Sequence, residues 1–408
     1  MAEEVWMLQT KKADFKQIGA RFRIDPVTAR IIRNRGIEGE AAIDRYLNGT
    51  LDDLYDPMLL KDMERAVSIL CEAVDTGKKI RIVGDYDIDG VCSTYILLQA
   101  FERLGSDVDF EIPDRIKDGY GINESIIEQA HADGVEVILT CDNGISAFHQ
   151  VELAKKYGMT VVITDHHEVP LDGEKEKIPP ADAVIDPKQE DCPYPFPEIC
   201  GAVVAYKLVQ VLYARRGVPQ MEWLDLLEFA AIATVGDVMK LQDENRILVK
   251  YGLKKMAQTK NLGLRRLAEK NNLDLGAITA YHIGFVIGPC LNAGGRLKTA
   301  KEALALLRAQ SEEEAERLAE ELKELNDTRK DMTEQGTEAA KLQVESWYQK
   351  DKVLVVFLPE CHESLAGIIA GRLREYYQKP AIVLTRGEEA VKGSGRSIDE
   401  YHMFKKLT

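Results

Sequence analysis

Short apolar runs alternate with stretches of helical periodicity through the middle of the chain. The runs are almost continuously apolar and rich in β-branched residues, which is typical of strands buried on both faces. They span residues 80–83, 108–112, 135–140, 161–164 and 183–185. Helical stretches separate several of them, at residues 91–104, 123–132 and 146–157. This alternation predicts an α/β fold with a parallel sheet that carries helices on both faces.

The rest of the chain divides into further segments. The first 75 residues show apolar residues at helical spacing, punctuated by glycine and asparagine, and residues 200–310 are mostly helical in pattern. A charged stretch that opens with the capping-box pair Ser311 and Glu314 predicts one long, mostly solvated helix. The predicted segments are an N-terminal helical segment (1–75), the parallel-sheet domain (76–310), the long linker helix (311–348) and a partial second α/β domain (349–408).

Composition excludes several classes of protein. The 408 residues are 45% hydrophobic and 30% charged, which is ordinary for a globular chain and excludes a disordered chain, a collagen or a coiled-coil rod. No apolar run approaches the length of about 18–20 residues that crosses a bilayer, and the start of the chain has no apolar signal core. We therefore expect a cytoplasmic protein with no membrane contact.

Charge and cysteine content exclude further kinds of protein and site. Lys and Arg number 53 against 68 Asp and Glu, which gives a net charge of −15. This balance argues against a protein that coats nucleic acid electrostatically, although it leaves room for a local basic groove. The seven cysteines are scattered without a CxxC pair, so we expect reduced thiols and no structural zinc site.

Acidic residues and two histidines directly follow consecutive predicted strands. The sequence GDYDIDG follows the first run, CDNG follows the run at 135–140, and DHHE follows the run at 161–164. Because the ends of neighbouring parallel strands line one crevice, these groups should meet in one place. The residues concerned are Asp85, Asp87, Asp89, Asp142, Asp165, His166 and His167.

So many carboxylates in one place require cations, because they would otherwise repel one another and lose hydration at high cost. Oxygen ligands with one or two imidazoles suit Mn²⁺ or Mg²⁺ better than a structural zinc. The number of ligands suits two ions about 3.5–4 Å apart, an arrangement that hydrolyses phosphate esters. Asp237, which follows the apolar stretch FAAIATV, becomes a further candidate ligand in this context.

Each motif also has another interpretation. GDYDIDG fits the opening of an EF-hand loop, but the twelfth position, which needs glutamate, is Ile96. Asp87 and Asp89 also mimic the nucleophile motif of haloacid-dehalogenase phosphatases, which leaves the other strand ends unexplained. The aspartates could instead be turn residues that cap helices, but turns alone need no His-His pair.

The motifs together resemble those of the DHH phosphoesterase superfamily. VGDYDIDG, TCDNG, TDHHE and ATVGDVMKL are similar to its first four motifs. Within it, the chain resembles the RecJ single-stranded-DNA exonucleases, because the N-terminal segment from NRGIEG onward, PDRIKDGYGIN, IGPCLNAGGRLKTA and LKELNDTRKDM are similar to RecJ blocks. HESLAGIIAGRL and KGSGRSI resemble the start of the DHH-associated domain. The resemblance covers nearly the whole chain.

The resemblance implies a role for each candidate residue. Asp85 and Asp87 would hold one metal ion, Asp89, His166 and Asp237 the other, and Asp142 would bridge the two. His167 would contact the scissile phosphate, and Asp165 would orient the histidine pair. Further phosphate contacts would come from Arg115, Asn292, Arg296, Ser394 and Arg396, in keeping with the bidentate recognition of phosphate by arginine.

The chain departs from the family pattern at a few positions. Cys290 stands where the family usually has arginine, and residues 361–364 stand where a Trp-His-x-Gly pattern is usual. The Gly-Gly-His block of the second domain and the single-strand-gripping OB-fold do not occur in these residues. We therefore expect an incomplete second domain, with two strands and with Arg396 in a Gly/Ser-rich turn.

The resemblance implies a two-metal exonuclease that releases 5′-mononucleotides from single-stranded DNA in the 5′→3′ direction, in repair and recombination. Single-stranded DNA would be its partner, with a helicase or a single-strand-binding protein as a further one, and a monomer is favoured. One alternative is a DHH phosphodiesterase of short oligoribonucleotides or cyclic dinucleotides. Another is a non-enzymatic scaffold, which the retention of every acidic ligand disfavours.

Overall fold

A parallel sheet forms the centre of the molecule. The computed structural model describes residues 6–9, 11–387 and 390–407. The first seven strands in chain order are β1 (Ile80–Val83), β2 (Val108–Glu111), β3 (Val137–Cys141), β4 (Thr160–Thr164), β5 (Leu171–Asp172), β6 (Lys175–Glu176) and β7 (Ala183–Ile185). The sheet has the order β2-β1-β3-β4-β7 with all neighbours parallel, while β5 and β6 form a short separate hairpin. The predicted α/β fold with a parallel sheet is confirmed.

Helices cover both faces of this sheet. The helices up to residue 310 are α1 (Phe15–Phe22), α2 (Pro26–Asn34), α3 (Glu40–Asn48), α4 (Met63–Thr76), α5 (Ile88–Arg103), α6 (Glu124–Ala132), α7 (Phe148–Lys156), α8 (Gly201–Arg215), α9 (Gln220–Leu224), α10 (Leu227–Gly236), α11 (Asp243–Met256), α12 (Leu262–Lys270), α13 (Ala280–His282), α14 (Gly288–Leu297) and α15 (Lys301–Leu307). A π-helical segment, Ile283–Ile287, joins α13 to α14. Ile82 and Leu139 face the larger core with α5 and α8, whereas Ile138 and Ile163 face a second core with α6 and α7. The strands β1, β3 and β4 are therefore buried on both sides, as their composition predicts, whereas the edge strand β2 is only partly buried.

A buried ion pair inside the central domain holds the N-terminal segment through a hydrogen bond that its lysine donates to Tyr55. Lys207 on α8 lies 3.0 Å from Glu244 on α11, and both side chains are almost wholly buried. Lys207 Nζ also donates a hydrogen bond to the backbone oxygen of Tyr55 (3.1 Å), and Tyr194 donates its hydroxyl proton to Glu244. Satisfied in this way, the two charges can remain buried without an unpaired partner.

The long helix predicted after residue 310 is present. It is α16 (Glu312–Gln343), which begins at the cap Ser311, whose hydroxyl accepts from the Glu314 N–H. Leu318 and Leu322 are buried in the larger core, so one side of the helix packs against the central domain. Its outer side pairs with α12, since Lys270 lies 2.6 Å from Glu316. The basic residues Arg265, Arg266 and Lys270 of α12 thus all pair with glutamates of this helix.

A smaller α/β unit follows α16. It contains β8 (Leu354–Phe357), α17 (Ala366–Tyr377), β9 (Ala381–Arg386), β10 (Val391–Arg396) and α18 (Met403–Leu407). β8 is parallel to β9, and β10 is antiparallel to it. The expectation of two strands, with Arg396 in a turn, is therefore wrong. The glycines of KGSGR stand within β10, where a Cβ at Gly393 would lie 2.5 Å from the side chain of Leu384 and 3.0 Å from the backbone oxygen of Val383. These glycines serve close packing of the strand rather than a turn.

Among the described residues, no helix combines the length and apolar character that a bilayer crossing needs.

Candidate metal centre

The carboxyl ends of β1, β3 and β4 bring the sequence-predicted acids and histidines together. Val83 of β1 pairs with Thr140 of β3, and Cys141 pairs with Thr164 of β4. Asp142 and Asp165 come immediately after the last two of these paired residues. Register alone therefore sets these side chains next to one another above the sheet.

Two helix N-termini fix the acids of the GDYDIDG loop. Asp87 caps α5, because its Oδ1 accepts from the N–H groups of Asp89 (2.9 Å) and Gly90 (3.1 Å). Asp89 lies in the first turn of α5, and its two carboxylate oxygens accept from Gly201 and Ala202 at the start of α8, both at 2.7 Å. Backbone N–H groups at a helix start favour a carboxylate, so both acids are held in fixed positions by groups that stabilise their charged form.

The ligand atoms form overlapping groups of the kind that hold metal ions. In each group, all atoms lie within 4.8 Å of one another. The groups in the described residues are Asp85 with Asp87 and Asp142, Asp89 with His166 and Asp237, and Asp142 with His166 and His167. Asp142 belongs to two groups, and it stands between the first pair of acids and the histidines.

Two buried polar atoms of this cluster have no hydrogen-bond partner among the described protein groups. They are Asp142 Oδ1 and His166 Nδ1. His166 Nε2 lies 3.0 Å from Asp142 Oδ1 and 3.4 Å from Asp89 Oδ2, but the contact to Asp142 lacks hydrogen-bond geometry. A metal ion binds where the lone pairs of several such atoms point at one position. The donor set is rich in oxygen, which fits Mn²⁺ or Mg²⁺.

The cluster is electrostatically unfavourable by itself. Burial, and next the charge of Asp87, raises the pKa of Asp85 to about 7. Burial, with Asp89 and Asp87 nearby, likewise raises the pKa of Asp237 to about 7. The pKa of Asp142 lies well above its usual range for the same reasons. Divalent cations would remove both the repulsion and the cost of burial.

The histidine pair is oriented from below by Asp165. Its Oδ1 accepts from the backbone N–H of His166 (2.7 Å) and lies 2.7 Å from His167 Nδ1, while its Oδ2 accepts from Ile145 N–H (2.9 Å). Burial opposes ionisation of Asp165, but the hydrogen bond and charge of His167, together with the N–H of Ile145 and the charge of His166, lower the pKa of Asp165. Burial also opposes protonation of His167, yet the bond to Asp165 raises the pKa of His167 to about 9. The Tyr120 hydroxyl, which donates to the Asp142 carbonyl (2.7 Å), lies 3.0 Å from the same ring.

Four of the five predicted phosphate contacts line one cleft of about 290 Å³ between the central domain and the smaller unit. Glu363 and Gly367 contribute to its wall. The four residues are Arg115, Arg296, Ser394 and Arg396. Asn292 is not among the lining residues, but it lies one helical turn before Arg296 on α14 and is half-buried.

Arg296 connects the cleft to the metal cluster. Its Nη1 donates to the backbone oxygen of Ser364 in the smaller unit (3.0 Å). Burial, together with the charges of Arg115 and Arg329, lowers the pKa of Arg296 to about 10, so an anion between these arginines would relieve repulsion. The next residue toward the N-terminus, Gly295, is so close to the backbone of Tyr86 that a Cβ would lie 2.3 Å from its carbonyl oxygen. Helix α14 is therefore pressed against the acidic loop.

Three further residues that determine the geometry of the centre are not among the sequence-predicted candidates. Asn143 is buried and donates from Nδ2 to the backbone oxygens of Val83 (3.0 Å) and Cys141 (2.9 Å), which ties β1 to β3. A Cβ at Gly201 would lie 2.7 Å from that of Asp142, so only glycine lets α8 approach. Asp186 is buried with an unpartnered Oδ2, and burial raises its pKa to about 7. It follows β7, so the strand-end rule applied to the fifth apolar run could have found it.

The chain is similar to one known family of proteins. Residues 79–234 match the family described as "DHH family, N-terminal domain". The chain is 36% identical over 99% of its length to the single-stranded-DNA-specific exonuclease RecJ of Bacillus subtilis, and spans 50% of that protein. It is 35% identical to the RecJ of Haemophilus influenzae, and this match covers 95% of the chain and 68% of the relative. The chain thus spans between half and about two thirds of these relatives.

Solved structures give the same result. A crystal structure of exonuclease RecJ bound to manganese is 33% identical and superposes with a TM-score of 0.74 over 85% of both chains. The crystal structure of RecJ from Thermus thermophilus in complex with Mg²⁺ is 28% identical, with a TM-score of 0.72 over 96% of this chain and 52% of that one.

Proposed function

The chain belongs to the RecJ family of DHH phosphoesterases, and we propose on this basis that it is a metal-dependent exonuclease of single-stranded DNA. It would remove 5′-mononucleotides in the 5′→3′ direction, in DNA repair and recombination. The observation that carries the proposal is the convergence of ligand atoms from three strand ends and Asp237. Such a buried group of acids is stable only with cations, and a site of this kind serves hydrolysis of phosphate esters.

The proposed ligand sets follow the two groups that share no residue. Asp85 and Asp87 would hold one ion, and Asp89, His166 and Asp237 the other. Asp142 stands with Asp85 and Asp87 in one cluster and with His166 in another, which supports a bridging role. When bound, two Mn²⁺ or Mg²⁺ ions would supply an activated water and would neutralise charge on the phosphate oxygens.

The protein groups around the ions would position the substrate. His167 uses Nδ1 to bond Asp165, so its Nε2, which lies 3.3 Å from the Tyr120 hydroxyl, would contact an oxygen of the scissile phosphate. Asp165 would act as a positioning residue, since it holds both histidines in place through their backbone or ring nitrogens. The half-exposed ring of His167 lets a strand approach from solvent.

The arginine cleft supports the proposal that hydrolysis takes place at the end of a strand. A terminal phosphate seated among Arg115, Arg296 and Arg396 would place the next phosphodiester near the metals and let one nucleotide leave at a time. Ser394 would add a hydroxyl donor, and Asn292, one turn before Arg296, would contact the following phosphate. Charge-assisted hydrogen bonds of this type are the strong ones.

The test is a polarity assay with Mn²⁺. Single-stranded oligonucleotides labelled at the 5′ or the 3′ end are incubated with the wild type, Asp142→Asn and the control Asp107→Asn. Asp107 is exposed and precedes β2, at the opposite end of the sheet from the acids. We expect immediate release of labelled mononucleotide from the 5′-labelled strand and a shortening ladder from the 3′-labelled one. Asp142→Asn should lose at least about a hundredfold in rate, and Asp107→Asn should cleave normally.

Other outcomes would change the proposed site or substrate, or refute the proposed activity. Full activity of Asp142→Asn would show that the metal centre is elsewhere. Cleavage of dinucleotides without cleavage of long strands would establish the alternative substrate class. If no phosphodiester is hydrolysed and calorimetry detects no Mn²⁺ binding, the chain is a scaffold.

The proposed setting of this activity is the cytoplasm. The protein would act there as a monomer on single strands that a helicase exposes or a single-strand-binding protein coats. Resistance of blunt duplexes, and their degradation once a helicase is added, would support this setting.

A further inference from the structure

Two large aromatic side chains stand stacked on the surface of the central domain. Tyr281 and Phe285 lie one helical turn apart, with ring centroids 4.8 Å apart and ring planes at 27°. They are 64% and 68% exposed. Aromatic rings normally stabilise a fold by being buried, and neither ring contributes to a core. Exposure of two stacked rings therefore indicates a binding surface.

The helix that carries the pair passes directly beside the metal centre. A Cβ at Gly284 would lie 3.7 Å from Val235, two residues before Asp237. A Cβ at Gly288 would lie 3.3 Å from Ile88, which sits within the GDYDIDG loop. The helix therefore contacts the residues next to both sets of metal-binding acids, and the tight fit at Gly288 favours a small residue there.

The order of groups along this helix matches the order of groups along a bound strand. Arg296, in the terminal-phosphate cleft, stands at one end. Gly288, which packs against Ile88 beside the metal-binding acids, lies between the two ends. Phe285 and Tyr281 stand at the other end. At 1.5 Å per residue, Phe285 lies about 16 Å from Arg296 along the helix axis, a span of a few nucleotides. A strand with its 5′ phosphate in the cleft and its scissile bond at the metals would continue toward the aromatic pair.

The backbone next to Asp237 and within the helix that carries the pair has features of a ligand site. Val238, directly after Asp237, is 87% exposed and has a φ of 58°, which is unfavourable for a β-branched residue. The helix itself widens into a π-helical segment over Ile283–Ile287, and such segments are frequent at functional sites.

The chemistry of the chain favours bases as the occupant. A net charge of −15 disfavours general electrostatic attraction of a long polyanion outside the arginine cleft. Stacking of bases on aromatic rings needs no positive charge and accepts any sequence, because every base has a π-face. An exonuclease must accept every sequence in the same way.

We infer that Tyr281 and Phe285 form a platform on which bases of the bound single strand stack, on the 3′ side of the nucleotide that is removed. This inference rests on the proposed function and adds the site that holds the strand behind the scissile bond.

The test compares long and short substrates. Tyr281→Ala/Phe285→Ala should lower kcat/KM on a 5′-phosphorylated 20-mer by about 5- to 100-fold, the range for loss of base–aromatic stacking. Hydrolysis of a dinucleotide, which has no base beyond the metals, should be unchanged. Abasic residues at positions three to five of the 20-mer should produce the same loss with the wild type and little further loss with the variant. Phe285→Trp keeps an aromatic face, so it should be more active on the 20-mer than Phe285→Ala.

A matched control is Trp347→Ala, because Trp347 is 72% exposed and lies after α16. It should behave as the wild type. Affinity for the 20-mer is also measured by fluorescence anisotropy without divalent cations, where no cleavage occurs. The difference between wild type and double variant should persist at high salt, since stacking is less salt-dependent than phosphate contacts.

Several results would overturn the inference. Equal losses on the 20-mer and the dinucleotide would mean a structural defect, and no loss on either would mean that the strand takes another path. If sedimentation shows a dimer that Phe285→Ala dissociates, with DNA affinity unchanged, the pair is a protein interface. Absence of all nuclease activity would defeat the proposed function alone, because the anisotropy measurement would still decide whether the aromatic pair binds the strand.

Discussion

At the scale of single residues, the metal centre is built from groups that are unfavourable in isolation. Asp142 is buried, has a φ of 61° and offers an oxygen without a hydrogen-bond donor among the described groups. Gly201 leaves the space that its side chain needs. Strain and uncompensated charge at one residue are common at functional sites, where the rest of the fold holds them in place.

Glu228 offers a test of such buried charge away from the metals. It is 3% exposed at the start of α10, with Oε1 accepting from Thr259 Oγ1 (2.7 Å) and Oε2 without a partner in the described part of the chain. Burial raises its pKa from 4.5 to about 7. The folded state therefore binds this proton more tightly than the unfolded state, and the stability that the proton provides is lost as pH rises from 4.5 through 7.

We predict that Glu228→Gln is more stable than the wild type at pH 8, by at most about 3 kcal/mol, and gains little at pH 4.5. The measurement is urea unfolding of both proteins at the two pH values. Glu313→Gln on the exposed side of α16 is the control and should leave the pH profile unchanged. A gain of equal size at both pH values would mean that titration of Glu228 has no part in it.

At the scale of elements, α16 joins the two parts of the molecule through one buried side. Leu322 is 1% exposed, belongs to the larger core and lies close to Gly294 of α14. Leu342, on the same helix, is 67% exposed. The two leucines thus differ in burial while sharing residue type and helix.

Leu322→Ala should lower the free energy of unfolding by about 2–4 kcal/mol, because it removes buried methyl groups and leaves a cavity. Leu342→Ala should change it by less than about 0.5 kcal/mol. Denaturant unfolding followed by circular dichroism distinguishes the two. Similar effects of both variants would contradict the packing of α16 against the central domain.

Elements differ in how well the sequence predicts them. The strands β1, β3 and β4 are predicted within a residue or two, because their apolar runs are bounded by polar motifs. β10 is missed because its glycines, needed for close approach to β9, look like turn residues. The acids at the strand ends are found by their position, whereas Gly201 carries no chemical signal and acts only through the space that its missing side chain leaves free.

At the scale of the whole molecule, the arginine cleft exists only because α14, the loop after β2 and the sheet of the smaller unit meet. Arg296 donates to Ser364 across this junction, and Arg396 at the end of β10 donates to Ser394 (3.0 Å). A cleft built from distant segments would recognise one shape of ligand, which we propose is the phosphate at a strand end.

Arg396→Ala should therefore reduce the preference for 5′-phosphorylated over 5′-hydroxyl strands by about 10- to 100-fold, the range for loss of a charged hydrogen bond. Initial rates on the two substrates give this ratio. Arg386→Ala, at an exposed arginine of β9 in the same sheet, is the control and should keep the wild-type preference. If Arg396→Ala slows both substrates equally, the cleft does not recognise the terminal phosphate.

The buried pair of Lys207 and Glu244 constrains how this chain can evolve. Removing either partner leaves an uncompensated buried charge, at a cost of about 3–5 kcal/mol, whereas replacing both with apolar residues can be neutral. A lineage can therefore lose the pair only through coupled changes. Among descendants and relatives, a base at position 207 and an acid at position 244 should be inherited together or lost together, and with them the way in which the segment around Tyr55 is attached.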